Sequence, residues 1–234
     1  MPDLLHEKDF KIENYEKFYN HHYFKPLPDD KALNAHRIIP RIAWAVDIAK
    51  LHQPKKVLDL GCLEGFAALT VANHVKSVRR AVGVDLSREG IDIANSRKVL
   101  VEADTEFIQD TIEHFLHTTE EKFDMIMLFE VIEHVKDPKE LLKLIDEVKT
   151  KNGVVLISTP SFEAPTFGKN DVQNKCHIRL YTTKDEDYQE MTDVPDPDTG
   201  ETYMRTATSM PKQVGKHRII NMGVYSELIN CIYS

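Results

Sequence analysis

Cysteine is scarce in this chain: three residues in 234, Cys62, Cys176 and Cys231, with no short spacing between any two. That excludes a disulfide framework and a cysteine zinc site, and makes a reducing compartment the expected setting. Long apolar runs are lacking as well, since no stretch approaches the roughly 18 to 20 residues that span a bilayer. The opening residues, MPDLLHEKDF, have neither a basic segment leading into an apolar one nor an arginine-rich transit pattern, so a cytoplasmic location is expected. Positive charge is in deficit, the formal net charge being −8. Extended phosphate binding draws on clustered Lys and Arg, so a nucleic-acid partner is disfavoured, although a small local basic groove is not excluded. Phosphate loops of the GKS or GKT type are missing too, which fits a cofactor without phosphates.

What is present is enough chain for one sizeable core, and somewhat too little for two. Short β-branched runs at 57–60, 81–84, 106–108, 123–129 and 153–158 alternate with helical patterns at 66–73, 89–100, 111–116 and 138–148. That alternation is the signature of a parallel sheet with crossover helices on both faces. Downstream, 183–191 reads as a short helix and DVPDPDTG as a turn that belongs to a hairpin, while 218–222 and 225–233 read as strands of an antiparallel edge. The expected fold is therefore α/β and Rossmann-like, a mostly parallel sheet of about seven strands with helices on both faces and an antiparallel carboxyl-terminal edge. It occupies residues 53–234, preceded at 1–52 by a helical cap segment within one structural domain. The aromatics of that segment, Phe10, Tyr15, Phe18, Tyr19, Tyr23 and Phe24, either cover a pocket or pack outside the sheet, and Pro40 should break the helical run at 31–52.

The first strand ends in VLDLGCLEGF, where Asp59 is followed by Gly61 and Gly65 as the chain turns into a helix. Small residues there let the backbone turn tightly and approach a ligand. The second strand ends at Asp85, about twenty residues on, where a carboxylate can accept hydrogen bonds from ribose hydroxyls. At the end of the third strand Asp110 can accept from an adenine amino group, with the Thr111 amide meeting the ring. Cys62, Leu86 and Phe129 are the other expected contacts to the cofactor. For Asp59 and Asp85 taken singly, turn or helix capping is the alternative.

The fourth strand leads into LFEVIEHVKDPKELL. A helical turn there would bring Glu130, Glu133 and His134 to one side. Two carboxylates and an imidazole suit either general-base work or a divalent metal site. His177, in NKCHIRLYT beyond the fifth strand, can fold back over the same sheet edge. The capping and packing alternative for all four residues stays open.

With these residues in view, the chain resembles the class I S-adenosylmethionine-dependent methyltransferases over about residues 55–181. The resemblance implies that residues matching Asp59, Gly61 and Gly65 surround the methionine part, that Asp85 holds the ribose and that Asp110 reads the adenine, with S-adenosylhomocysteine as product. Leu63 stands where the family often has a middle glycine. EVIEH followed by HxRxYT is similar to the ubiquinone-biosynthesis type of O-methyltransferase, in part of which a divalent ion, Mg or Zn here, is held by residues matching Glu130, Glu133, His134 and His177. The implied function is O-methylation of a small-molecule or sugar hydroxyl, with His134, Glu133 and His177 as the catalytic candidates. Two alternatives remain. One is methylation of an RNA 3′-terminal ribose, against which Asn174 stands where those enzymes have a histidine. The other is a non-catalytic cofactor-binding or scaffold protein, for which Leu63 is the argument.

Overall fold

Alternation decides which face each strand residue meets. In β1 (Lys56–Leu60), Leu58 and Leu60 enter one buried cluster and Val57 another; in β2 (Arg80–Asp85), Val82 and Val84 join the first and Ala81 the second. Strands apolar on both sides need cover on both sides. The structure, a computed structural model, describes residues 28–163, 177, 179–183, 191–195, 202–225 and 228–234. The parallel core continues through β3 (Asp104–Gln109), β4 (Phe123–Phe129) and β5 (Lys149–Pro160). After β6 (Arg179–Thr182), β7 (Met191–Pro195), β8 (Thr202–Ser209), β9 (Gln213–Val214) and β10 (His217–Arg218), the chain returns as β11 (Ile220–Tyr225) and β12 (Leu228–Tyr233). The seven-stranded sheet runs β3-β2-β1-β4-β5-β12-β11, with β12 antiparallel to both its neighbours. This is the α/β architecture with an antiparallel edge that the sequence pattern implies.

Six helices are described: α1 (Asp29–Ala32), α2 (Pro40–His52), α3 (Phe66–His74), α4 (Arg88–Arg97), α5 (Ile112–Thr118) and α6 (Pro138–Val148). Ile42, Val46, Leu69, Val71 and Ile91 bring α2, α3 and α4 onto one face, and Phe115, Leu116, Leu141 and Ile145 bring α5 and α6 onto the other. Each such side chain, fully buried, contributes about 1.5–3 kcal/mol. Pro40 takes the first position of α2, so the expected break falls just before it. Ser87, Thr111 and Asp137 cap α4, α5 and α6 by accepting backbone N–H bonds. Phe107 of β3 fills the space over two glycines: a Cβ on Gly65 would lie 2.7 Å from its ring and one on Gly83 2.5 Å.

Two expectations change downstream. The helix expected at 183–191 is not what ends that segment: Met191 begins β7, whose β-branched Thr192 and Val194 suit a strand, and which pairs antiparallel with β8. That pairing makes the expected hairpin, although its turn at 196–201 lies outside the described residues, as do the aromatics of 1–27, Asn174 and Cys176. The helix expected to reach residue 100 stops at Arg97 and tightens into a 3-10 turn. Among the described residues no helix is long and apolar enough to cross a membrane.

From β1 the chain moves outward to β2 and β3 on one side, and from β4 to β5 on the other. Strand order therefore reverses between β1 and β4, and in open α/β sheets ligands bind at the carboxyl ends flanking such a switch point.

Candidate active site

The loop leaving β1 takes positive φ at three residues, Gly61 at 78°, Leu63 at 47° and Gly65 at 79°. For Leu63 this conformation costs about 1–2 kcal/mol. Asp85 supports it: Oδ2 accepts from the Leu63 amide at 2.8 Å while Oδ1 accepts from the Ser87 amide at 2.8 Å. Asp59 is buried, its Oδ2 accepting from the Ala68 amide at 3.1 Å, and burial pushes its carboxyl up to about 7. Asp110 Oδ1 accepts from the Thr111 amide at 2.8 Å, and its Oδ2 lies 2.6 Å from His114 Nδ1. The Thr111 amide thus faces a carboxylate rather than standing free. The carbonyl of half-buried Leu86 accepts from Gln109 Nε2 at 3.3 Å. Cys62 is buried, and burial drives its thiol well above its usual range, so it behaves as packing. Phe129 lies with its ring centroid 6.3 Å from that of Trp44 on α2. Beside the loop, Arg97 and Glu64 form a buried ion pair at 2.5 Å.

Across the switch point, Glu130 leaves β4 with φ 56°. Its amide donates to the Ser158 carbonyl at 2.9 Å and its Oε1 accepts from Ser158 Oγ at 2.7 Å. A 3-10 turn then spans Ile132–His134, in place of a helical turn beginning at Glu130. Glu133 is fully buried. Its Oε2 accepts from Thr159 Oγ1 at 2.9 Å, while its Oε1 has no hydrogen-bond partner among the described residues and lies 3.8 Å from both His134 Nε2 and His177 Nε2. The two imidazole centroids are 4.8 Å apart. Burial pushes the Glu133 carboxyl well up, and the charge of Glu130 adds to the effect; burial raises Glu130 too, opposed by Arg41 on α2. The two sides adjoin, because a Cβ on Gly61 would lie 2.4 Å from Val131 Cγ2.

Of the four expected metal ligands, three come together: one donor atom each from Glu133, His134 and His177 lies within 4.8 Å of the others. A buried carboxylate oxygen between two imidazoles, with no hydrogen-bond partner among the described residues, fits a divalent cation. Glu130 is turned to Ser158 instead. Sequence reasoning passed over Ser158 and Thr159, the hydroxyls that anchor the two glutamates; their only signal was the position of STP at the end of β5. It also passed over Arg41, the cation whose field reaches Asp59, Glu130 and Glu133 alike.

The profile of a family described as "Methyltransferase domain" matches residues 51–201, well over half of the chain. The chain belongs to this family. It is a class I S-adenosylmethionine-dependent methyltransferase by family, the one that the strand-end carboxylates and the glycine turn implied. Curated relatives include the ubiquinone biosynthesis O-methyltransferases of Aliivibrio fischeri, 30% identical over 58% of this chain and 54% of that protein, and of Salmonella paratyphi A, 29% identical over 58% and 52%. The chain thus spans about half the length of these curated relatives. Among solved structures, an O-methyltransferase family protein from Burkholderia thailandensis matches this methyltransferase with a TM-score of 0.61, covering 88% of this chain and 57% of that one at 12% identity, a likeness of fold.

Proposed function

We propose that the chain transfers the methyl group of S-adenosylmethionine to a hydroxyl of a small molecule or glycan. The observation that carries this is the convergence of Glu133, His134 and His177 beside the turn that would hold the cofactor. The methionine part lies along Asp59, Gly61, Cys62 and Gly65, and Arg41 offers a cation to its carboxylate. Asp85 takes the ribose. Its carboxylate accepts from the Leu63, Ser87 and Leu86 amides, and of the roughly four lone-pair positions of a carboxylate that leaves about one for a ribose hydroxyl. Leu86, Asp110, Thr111 and Phe129 flank the adenine side.

In the reaction the acceptor oxygen forms a bond to the methyl carbon as the carbon–sulfur bond breaks. The electron pair goes to sulfur, leaving neutral S-adenosylhomocysteine. Holding oxygen and carbon about 3 Å apart in line supplies much of the rate. The hydroxyl proton passes to an imidazole, with His134 the favoured base and His177 beside it, and the shared Glu133 oxygen stabilises the imidazolium that forms. In the alternative route, a divalent ion, Mg or Zn, held by Glu133, His134 and His177 would lower the pKa of the acceptor hydroxyl in place of an imidazole base, its proton leaving to water, and two imidazoles with a carboxylate suit Zn better than Mg.

Calorimetric titration of S-adenosylhomocysteine into the wild type and Asp85→Ala tests the cofactor half. Binding weakened about tenfold or more, 1.4 kcal/mol, is expected; no binding to folded wild type would sink the proposal. Transfer of labelled methyl to phenol, catechol and sugar panels, with and without chelator, tests the acceptor half. Activity retained in excess chelator and in His177→Ala would remove the ion from the account.

A further inference from the structure

A 3-10 turn of three residues leaves carbonyls at its end without backbone donors, and buried carbonyls need partners. The Ile132 carbonyl accepts a long backbone bond from the Val135 amide, at 3.5 Å, and further partners for it and for the carbonyls that follow the turn come from β6. Arg179 Nη1 donates to the carbonyls of Ile132, at 3.4 Å, and Val135, and Nη2 donates to that of Lys136 at 3.0 Å. Tyr181, two residues on and therefore on the same face of the strand, brings its hydroxyl within 3.5 Å of the Ile132 carbonyl. His177, two residues before Arg179, meets Glu133. The three carbonyls bracket Glu133 and His134 in the chain.

We propose that Arg179 is a positioning residue for the Glu133–His134–His177 cluster. One planar guanidinium gathers three carbonyls of the loop that carries Glu133 and His134, and the backbone that holds this guanidinium also carries His177. Arg179, with the Tyr181 hydroxyl beside it, thus ties β6, which His177 precedes in the chain, to the loop that carries Glu133 and His134. A lysine has the charge but not the fork, so it cannot hold three carbonyls in that arrangement. The inference rests on the proposed role of the cluster, but its test needs neither cofactor nor acceptor.

The test is histidine side-chain nitrogen NMR across pH on wild type, Arg179→Lys and Arg179→Ala, with His134 and His177 signals assigned from their glutamine variants. Melting and S-adenosylhomocysteine titration accompany it. Folded Arg179→Lys is expected to bind S-adenosylhomocysteine within about twofold of wild type, as for sites without shared partners. Its His134 and His177 nitrogen signals should nevertheless move, because the loop that carries His134 loses the fork that holds it. Added guanidinium ion should return the Arg179→Ala spectrum toward wild type. Unchanged His134 and His177 signals in a folded Arg179→Lys protein would overturn the proposal, as would failure of both variants to fold, since Arg179 would then be holding the fold itself. Wild type that binds no S-adenosylhomocysteine while the displaced signals persist would reject the methyltransferase function and leave the role of Arg179 standing.

Discussion

The two sides of the switch point hold their carboxylates in opposite ways. On the β1–β3 side, Asp85 and Asp110 accept backbone amides that fix the shape of the loops. On the β4–β5 side, Glu130 and Glu133 are each bonded to a hydroxyl, Glu133 also to its own amide, and one Glu133 oxygen faces two imidazoles with no hydrogen bond among the described residues. The first arrangement builds a rigid cradle; the second keeps a reactive group available in a dry setting. Asp59 stands between them, buried like the glutamates but bonded to an amide like the aspartates.

Asp59 gives the largest test of that division. Its carboxyl is raised from 3.8 to about 7, so the folded chain holds the proton more tightly than the unfolded one. The stabilisation is complete below the unfolded value and is lost as pH rises through the folded one. Between about pH 4.5 and about pH 8 the wild type should lose on the order of 3 kcal/mol relative to Asp59→Asn, read from urea midpoints at each pH. Parallel curves would mean that the Ala68 amide offsets the burial of Asp59. Next in size, Asp85→Ala leaves the Leu63 and Ser87 amides without their acceptor and should cost about 2 kcal/mol in denaturant melts, besides its effect on cofactor binding. Thr159→Val keeps the shape but removes the hydroxyl from Glu133, with an expected loss of about 1.5 kcal/mol by the same measurement. An effect near zero there would mean that the acceptor side does not depend on its hydroxyl anchors. Smallest of all, Leu63→Gly should relieve the left-handed strain and stabilise by at most about 1 kcal/mol. Destabilisation would show that packing of the leucine side chain outweighs its backbone cost.

The parallel core was legible because period-2 apolar runs and strand-end acids are local signals, and β4 and α6 fall on the residues that the pattern picks out. His177 was legible as a partner of EVIEH from its place beyond the fifth strand, and the resemblance pointed to the same residue. Ser158, Thr159 and Arg41 were not, because a serine or threonine in a strand and an arginine in a helix look alike whether or not a buried carboxylate lies opposite. The expected helical turn from Glu130 failed for a similar reason: whether the turn closes at Glu130 or two residues later depends on Ser158 capturing its amide and its side chain. The strand Met191–Pro195 escaped because 183–191 reads as a helix, although the DVPDPDTG turn beyond it announced the hairpin with Thr202–Ser209.

The aromatic ring of Phe107, fitted over Gly65 and Gly83, ties three strand–loop positions into one inheritable unit. A lineage that acquires alanine at 83 must first, or at once, exchange the phenylalanine at 107 for something smaller. Residues on two separate strands should therefore change together across descendants, so that the occupant of one position foretells the other.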